Sequence, residues 1–307
     1  MKKLIITFLT LFVCVSVLLM SVVVFASVLQ IIPTKDKSEN LRLPNSVAVD
    51  SKGFIIVADT DNCRIVKFDP TGKKVFSIGM KGNQKNQFSY PAAVTCDKNG
   101  NIYVADTGNS RLVKLSSDGK WIASWEKVKA KQGKLQAPMG IAVDLKGYIY
   151  VSDYSLSKIV KYNSKGEFVS EITKLNTNGD KLNFPRGIAV DSAGNLYVAD
   201  SGNNRIVVIN QKGNVVSIYN KINNYFKLHH PLGIAIDQSG ENIAITDTDY
   251  HRVILYSLKM KKAYTWGKNE KNKFILNYPT GVCFDLKGNI IFADTYNSRI
   301  LKIVIKK

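Results

Sequence analysis

His229, His230 and His251 are the only histidines in this 307-residue chain. Imidazole is the side chain most often recruited for metal ligation and for proton transfer near neutral pH. A catalytic zinc needs about three converging protein ligands. His229 and His230 are sequence neighbours before Pro231, and two adjacent loop histidines make a poor ligand pair. The cysteines are Cys14, Cys63, Cys96 and Cys283, with no CxxC spacing, so neither a zinc cluster nor a disulfide framework follows. No GxSxG elbow is present to carry a serine nucleophile. The expectation is therefore no catalytic constellation, no metal and no cofactor.

Charge offers a different chemistry. Lys plus Arg number 43 against 24 Asp plus Glu, a formal +19, and seven of the 43 are arginine. Lysine is a hydrated point charge, whereas arginine presents a planar fork. The excess thus favours diffuse attraction to polyanions, or simply a lysine-rich composition that keeps the protein in solution. The lysines concentrate in segments 80–90, 126–137, 173–184, 220–230 and 267–278, which hold thirteen against three acids, Glu126, Asp180 and Glu270. Candidate ligand-binding residues are Lys127, Lys129, Lys131, Lys134, Lys221, Lys268 and Lys271, joined by Arg186. Phe88, Tyr90, Phe184, Tyr225, Phe226 and Tyr278 interleave with them. Phe88, Tyr90, Phe184 and Tyr278 are expected first as plugs between elements, and second as stacking surfaces.

The elements that position these residues follow from six prolines. Pro44, Pro91, Pro138, Pro185, Pro231 and Pro279 are separated by 47, 47, 47, 46 and 48 residues. Each precedes a short apolar run ending in aspartate, then a glycine turn, a second strand ending in aspartate, a polar turn and a basic third strand. In one unit the spacing predicts strands over 93–96, 101–105, 111–115 and 120–124. A unit of this length cannot bury both faces alone and must stack on its neighbours. Six units read as a closed ring of four-stranded antiparallel sheets. The last unit lacks a fourth strand, and the otherwise unassigned segment 28–32 is expected to supply it, so removing an exposed edge.

In such a ring the residues after the prolines, Asn45, Ala92, Met139, Arg186, Leu232 and Thr280, should surround the axis, and only Arg186 is charged. The recurring Asp/Arg sets, such as Asp59 with Arg64 and Asp106 with Arg111, serve something every unit needs. They are expected to satisfy turn backbone and pair with each other. Cys96 and Cys283 lie one position apart in equivalent first strands and should face opposite sides.

The second turns carry a family resemblance. VADTDNCR (57–64), VADTGNSR (104–111), VSDYSLSK (151–158), VADSGNNR (198–205), ITDTDYHR (245–252) and FADTYNSR (292–299) resemble NHL repeats. The third departs, with Ser155, Leu156, Ser157 and Lys158 in place of Gly-Asn-x-Arg. No Trp-Asp dipeptide or Gly-Gly pair points to the other common propeller repeats. The resemblance implies an all-β fold, a six-bladed β-propeller. Similar amidating lyases place a zinc histidine directly after such a proline, and no position here matches. Related calcium-dependent lactonases use acidic and asparagine residues at the channel mouth, where this chain offers Asn45 alone.

Residues 1–26 open with Met1-Lys2-Lys3, and residues 4–26 carry no charge. The lysines would hold the N-terminus inside and send residues 27–307 outside. The apolar length suits a retained anchor, while Val24-Phe25-Ala26 fits a signal cleavage site. Either outcome makes the ring secreted or membrane-anchored, and extracytoplasmic. The expected function is a non-catalytic, monomeric binding propeller of the cell envelope. Its interblade-loop face would take a protein or an anionic polymer or glycan, with nucleic acid an unexpected partner at that address. The alternative is a lyase or hydrolase at the channel mouth, starting from Asn45, Arg186 and Thr280.

Overall fold

The computed structural model describes residues 26–30, 40–125, 135–177, 180–267 and 275–305. Six four-stranded antiparallel sheets are arranged around an axis. In the second blade the strands are Pro91–Cys96, Ile102–Asp106, Arg111–Leu115 and Trp121–Trp125. The innermost strands of the other blades are Ser46–Val49, Pro138–Val143, Pro185–Val190, Pro231–Ile236 and Pro279–Phe284. Each packs against the innermost strands on both sides, and Ser46–Val49 contacts both Pro91–Cys96 and Pro279–Phe284, so the ring closes. Against expectation, five of the six inner strands start at the proline itself. Proline is tolerated as a strand's first residue, where the ladder can do without its missing N–H. All five strands that begin with proline keep ladder pairing after a register shift, as between Pro91 and Ala93.

Strand alternation explains the core. Successive residues of a strand face opposite sides, and a blade has a neighbour on each side. Ile102 and Val104 pack towards blade one with Ile56 and Ile65. Tyr103 and Ala105 pack towards blade three with Ile149 and Val151. All five residues of Ile102–Asp106 are consequently buried, and each fully buried branched side chain stabilises the seam by roughly 1.5–3 kcal/mol. The same logic sends Cys96 and Cys283 to opposite faces of their own blades, and both flank blade one. Burial pushes both thiols well above their ordinary range.

The last blade comprises Pro279–Phe284, Ile290–Asp294, Arg299–Ile305 and, antiparallel to Arg299–Ile305, Ala26–Gln30. Ala26 lies opposite Ile305 and Gln30 opposite Leu301. The pairing segment thus begins two residues before the expected 28–32, and Ala26, assigned from sequence to the leader, stands in the strand. Ile31 and Ile32 lie outside the described residues, as do residues 1–25 of the leader. Among the described residues no helix is long and apolar enough to cross a membrane.

Candidate functional site: the proline-side mouth of the channel

The turns that hold the mouth together use the repeated Asp/Arg sets. Asp106 Oδ2 accepts from Arg111 Nε at 2.7 Å and from Asn109 Nδ2 at 2.7 Å, while Oδ1 accepts the Ser89 amide at 2.7 Å. The Arg111 guanidinium also donates to the carbonyls of Asn83, Gln84 and Gln87. Asp59, Asp200, Asp247 and Asp294 pair with Arg64, Arg205, Arg252 and Arg299 at 2.6 Å. These sets are structural, as their recurrence implied. In blade three Asp153 instead accepts the amides of Gln136 and Leu156, and Lys158 pairs with Glu171.

The residue before each inner-strand proline sets the rim. Leu43, Tyr90, Phe184, His230 and Tyr278 all adopt the left-handed region, with φ of 45°, 52°, 49°, 53° and 55°. That conformation is uncommon for non-glycine residues. Hydrogen bonds from the preceding blade hold it: the amides of Leu43, Phe184, His230 and Tyr278 donate to Ser298 Oγ, Ser157 Oγ, Asn204 Oδ1 and His251 Nδ1. The exposure of the aromatics divides the expected plugs. Phe88 is fully buried in a seam and is a plug. Tyr90 and Phe184 are 47% and 42% exposed and are not.

Inside the ring lies a channel cavity of about 260 Å³, bounded by all six inner strands along their length. Asn45 Nδ2 donates to the Ala92 carbonyl at 3.1 Å. The Thr280 hydroxyl donates to the Asn45 carbonyl at 2.8 Å and meets Thr295 Oγ1 at 2.6 Å. Both expected polar starting points for chemistry are therefore engaged in interblade bonds. Arg186 is different. It forms no ion pair among the described residues, and its Nε is buried without a hydrogen-bond partner. Its guanidinium carbon lies 4.9 Å from the centroid of the Tyr154 ring, within cation–π range, and Tyr154 stacks on Phe184 at 4.7 Å and 23°.

Tyr154 occupies a position that the other five blades give to threonine or serine. There the hydroxyls of Thr60, Thr107, Ser201, Thr248 and Thr295 donate to the carbonyls of Pro91, Pro138, Pro231, Pro279 and Pro44, at 2.5–2.8 Å. Blade three exchanges that seam bond for an aromatic ring beneath Arg186. Sequence reasoning missed Tyr154. The available signal was the departure of VSDYSLSK from its five companions.

Further around the rim Tyr278 stacks on Tyr296, with centroids 4.6 Å apart and planes 9° from parallel. Burial raises the Tyr278 hydroxyl above its ordinary range, and the Arg186 charge opposes that rise. On blade five the Asp249 carboxylate lies 2.9 Å from His229 Nδ1 and 3.4 Å from His230 Nδ1. Among the described residues no three histidine, cysteine or acidic side chains are placed to hold a metal ion.

Of the lysines singled out from sequence, Lys221 is exposed on a two-stranded hairpin, Lys221–Ile222 with Phe226–Lys227. Lys127, Lys129, Lys131, Lys134, Lys268 and Lys271 lie outside the described residues. Lys81, Lys85, Lys174, Lys181 and Lys227 of the same loops are exposed and form no ion pair among the described residues. Arg186 lies on the cavity wall beside the Tyr154 ring, and Lys221 does not line the cavity.

Comparison with known proteins agrees with this architecture. The NHL repeat matches residues 41–68, 88–115 and 182–209, in blades one, two and four. No curated protein matches the chain. Among solved structures it is similar to a virginiamycin B lyase from Staphylococcus aureus, with 15% identity over 92% of this chain and all of that one, and a TM-score of 0.64. It is also similar to an auxiliary nutrient binding protein from Bacteroides thetaiotaomicron, with 12% identity, 92% and 77% coverage and a TM-score of 0.68. A gluconolactonase from Xanthomonas campestris gives 12%, 92% and 90%, and 0.66. At these identities the likeness is one of fold. Six closed blades, three of them carrying matched NHL repeats, make the chain a six-bladed β-propeller with NHL repeats.

Proposed function

We propose that the protein is an extracytoplasmic binding propeller of the cell envelope that takes an anionic partner, a polymer, a glycan or an acidic protein, on its proline face. The observation that carries this reading is Arg186, a cation at the channel mouth whose buried Nε has no hydrogen-bond partner among the described residues. A buried donor left unmade costs about 1–3 kcal/mol, a cost that an incoming carboxylate or phosphate oxygen would relieve. The surrounding loops support it, with thirteen lysines against three acids. The leader supports the address, with Lys2 and Lys3 before residues 4–26. The solved structures of similar fold include a nutrient binding protein as well as a lyase and a lactonase. With Asn45 and Thr280 engaged in interblade bonds, binding is the reading favoured over catalysis here.

The test is binding of the full chain to immobilised polyanions, heparin and polyglutamate, across a salt series. Binding should weaken as salt rises, because lysine heads act at long range through solvent, and Arg186→Ala should weaken it further at every salt concentration. Retention unchanged by Arg186→Ala would remove the mouth from the account. For the address, protease added to cells stripped of any outer barrier should cleave the propeller. A soluble cytoplasmic protein with its leader intact would end the extracytoplasmic reading.

A further inference from the structure

We infer that the group taken at the mouth is a singly charged acidic sugar, a saccharide unit whose carboxylate meets Arg186 and whose ring lies against the rim tyrosines. This rests on the mouth being the binding site and goes further by naming the chemistry of what enters it.

Three features select that class. The first is charge. Arg186 is the one charged side chain in the post-proline ring, and a guanidinium is a planar fork that matches a carboxylate with two parallel hydrogen bonds. One cation balances one negative charge. A doubly charged phosphate would leave one negative charge uncompensated.

The second feature is shape. The stacked pair Tyr154–Phe184 contacts Arg186 directly, and a second stacked pair, Tyr278–Tyr296, stands further around the rim. Phe184, Tyr296 and Tyr90 keep 42%, 55% and 47% of their surface in solvent. Such rings are apolar platforms that can cover the C–H face of a sugar, and the tyrosines among them keep a hydroxyl in water. The left-handed backbone at Tyr90, Phe184 and Tyr278 fixes the platforms before any ligand arrives.

The third feature is size. The cavity, about 260 Å³, falls just below the range of roughly 300–1,000 Å³ usual for small-molecule pockets. It suits one terminal unit and leaves the rest of a chain outside the channel.

Tyr154 is the positioning residue. It replaces the seam hydroxyl used in five blades and supplies the ring beneath the guanidinium. Tyr154→Thr restores the residue found in blades one, two, five and six, so it should fold, and it removes the platform without touching Arg186.

The experiment is isothermal titration of the full chain in mild detergent with trisaccharides of galacturonate, glucuronate and mannuronate, with their methyl esters, and with glycerol phosphate. At least one uronate should bind. Its ester, Arg186→Lys and Tyr154→Thr should each bind about tenfold more weakly, the loss expected for one charged hydrogen bond or platform, while Tyr154→Thr keeps its melting temperature. Glycerol phosphate binding more tightly than every uronate and lost in Arg186→Ala would overturn the sugar-acid class but keep the mouth. Ester and acid binding equally would also overturn the class. No binding of any probe, or binding indifferent to Arg186→Ala, would overturn both.

Discussion

Arg111 and Arg186 show how one side chain type serves two purposes. Arg111 is 1% exposed, paired with Asp106 and bonded to three loop carbonyls. Arg111→Ala would leave the Asp106 carboxylate buried without its cation, a change that costs about 3–5 kcal/mol. Arg299 makes the same pair with a side chain 20% exposed, so Arg299→Ala should cost less. Urea denaturation of the two variants checks the order, and equal losses would show that burial does not govern these pairs. Arg186→Ala breaks no ion pair among the described residues and removes a buried donor that has no partner there, so its stability should equal or exceed the parent's. A large loss of stability in Arg186→Ala would mean that the residue belongs to the framework and not to a site.

The elements meet at seams, and the seams differ. Five are tied by a hydroxyl to the carbonyl of the next proline, as in Thr248 to Pro279 at 2.7 Å. Thr248→Val keeps the shape and removes the donor from a buried acceptor, and should cost about 1 kcal/mol, read as a lower melting temperature. The last blade has its outer position taken by Ala26–Gln30 against Arg299–Ile305. Deleting residues 1–34 should expose the edge of Arg299–Ile305 and lower the melting temperature or cause aggregation, whereas deleting residues 1–25 should not. If both truncations melt together, the N-terminal strand adds nothing to the ring.

Across the whole molecule, lysine concentrates in the segments between blades. The basic loops lie where the chain passes between blades, and exposed loop charges contribute little to stability. Changing Lys127, Lys129, Lys131 and Lys134 together to glutamate should therefore weaken polyanion binding at low salt and leave the melting temperature unchanged. Equal retention of this variant and the parent on heparin at low salt would show that the basic face is compositional only. The contrast with Arg186 is one of range: the lysines attract from a distance and lose their pull as salt rises. The mouth acts on contact and should keep its preference between ligands when salt is added.

The proline spacing, the period-two alternation and the repeated Asp/Arg turns were enough to specify a six-bladed ring, because a repeat that must bury both faces has few ways to close. The structural role of Asp106 with Arg111 was equally legible from its recurrence. Arg186 stood out as the charged residue after a proline, yet its unpartnered Nε did not, since that depends on what every neighbouring strand brings to the axis. Tyr154 lies 32 residues before Arg186 in the chain, and only the stacking of blade three on blade four puts its ring under the guanidinium. Exposure likewise separated Phe88 from Tyr90, which are two residues apart in one loop. Local sequence encodes strands and turns through periodic burial. Contacts across a seam join residues with no sequence relation, so packing alone decided which aromatics became plugs and which became platforms.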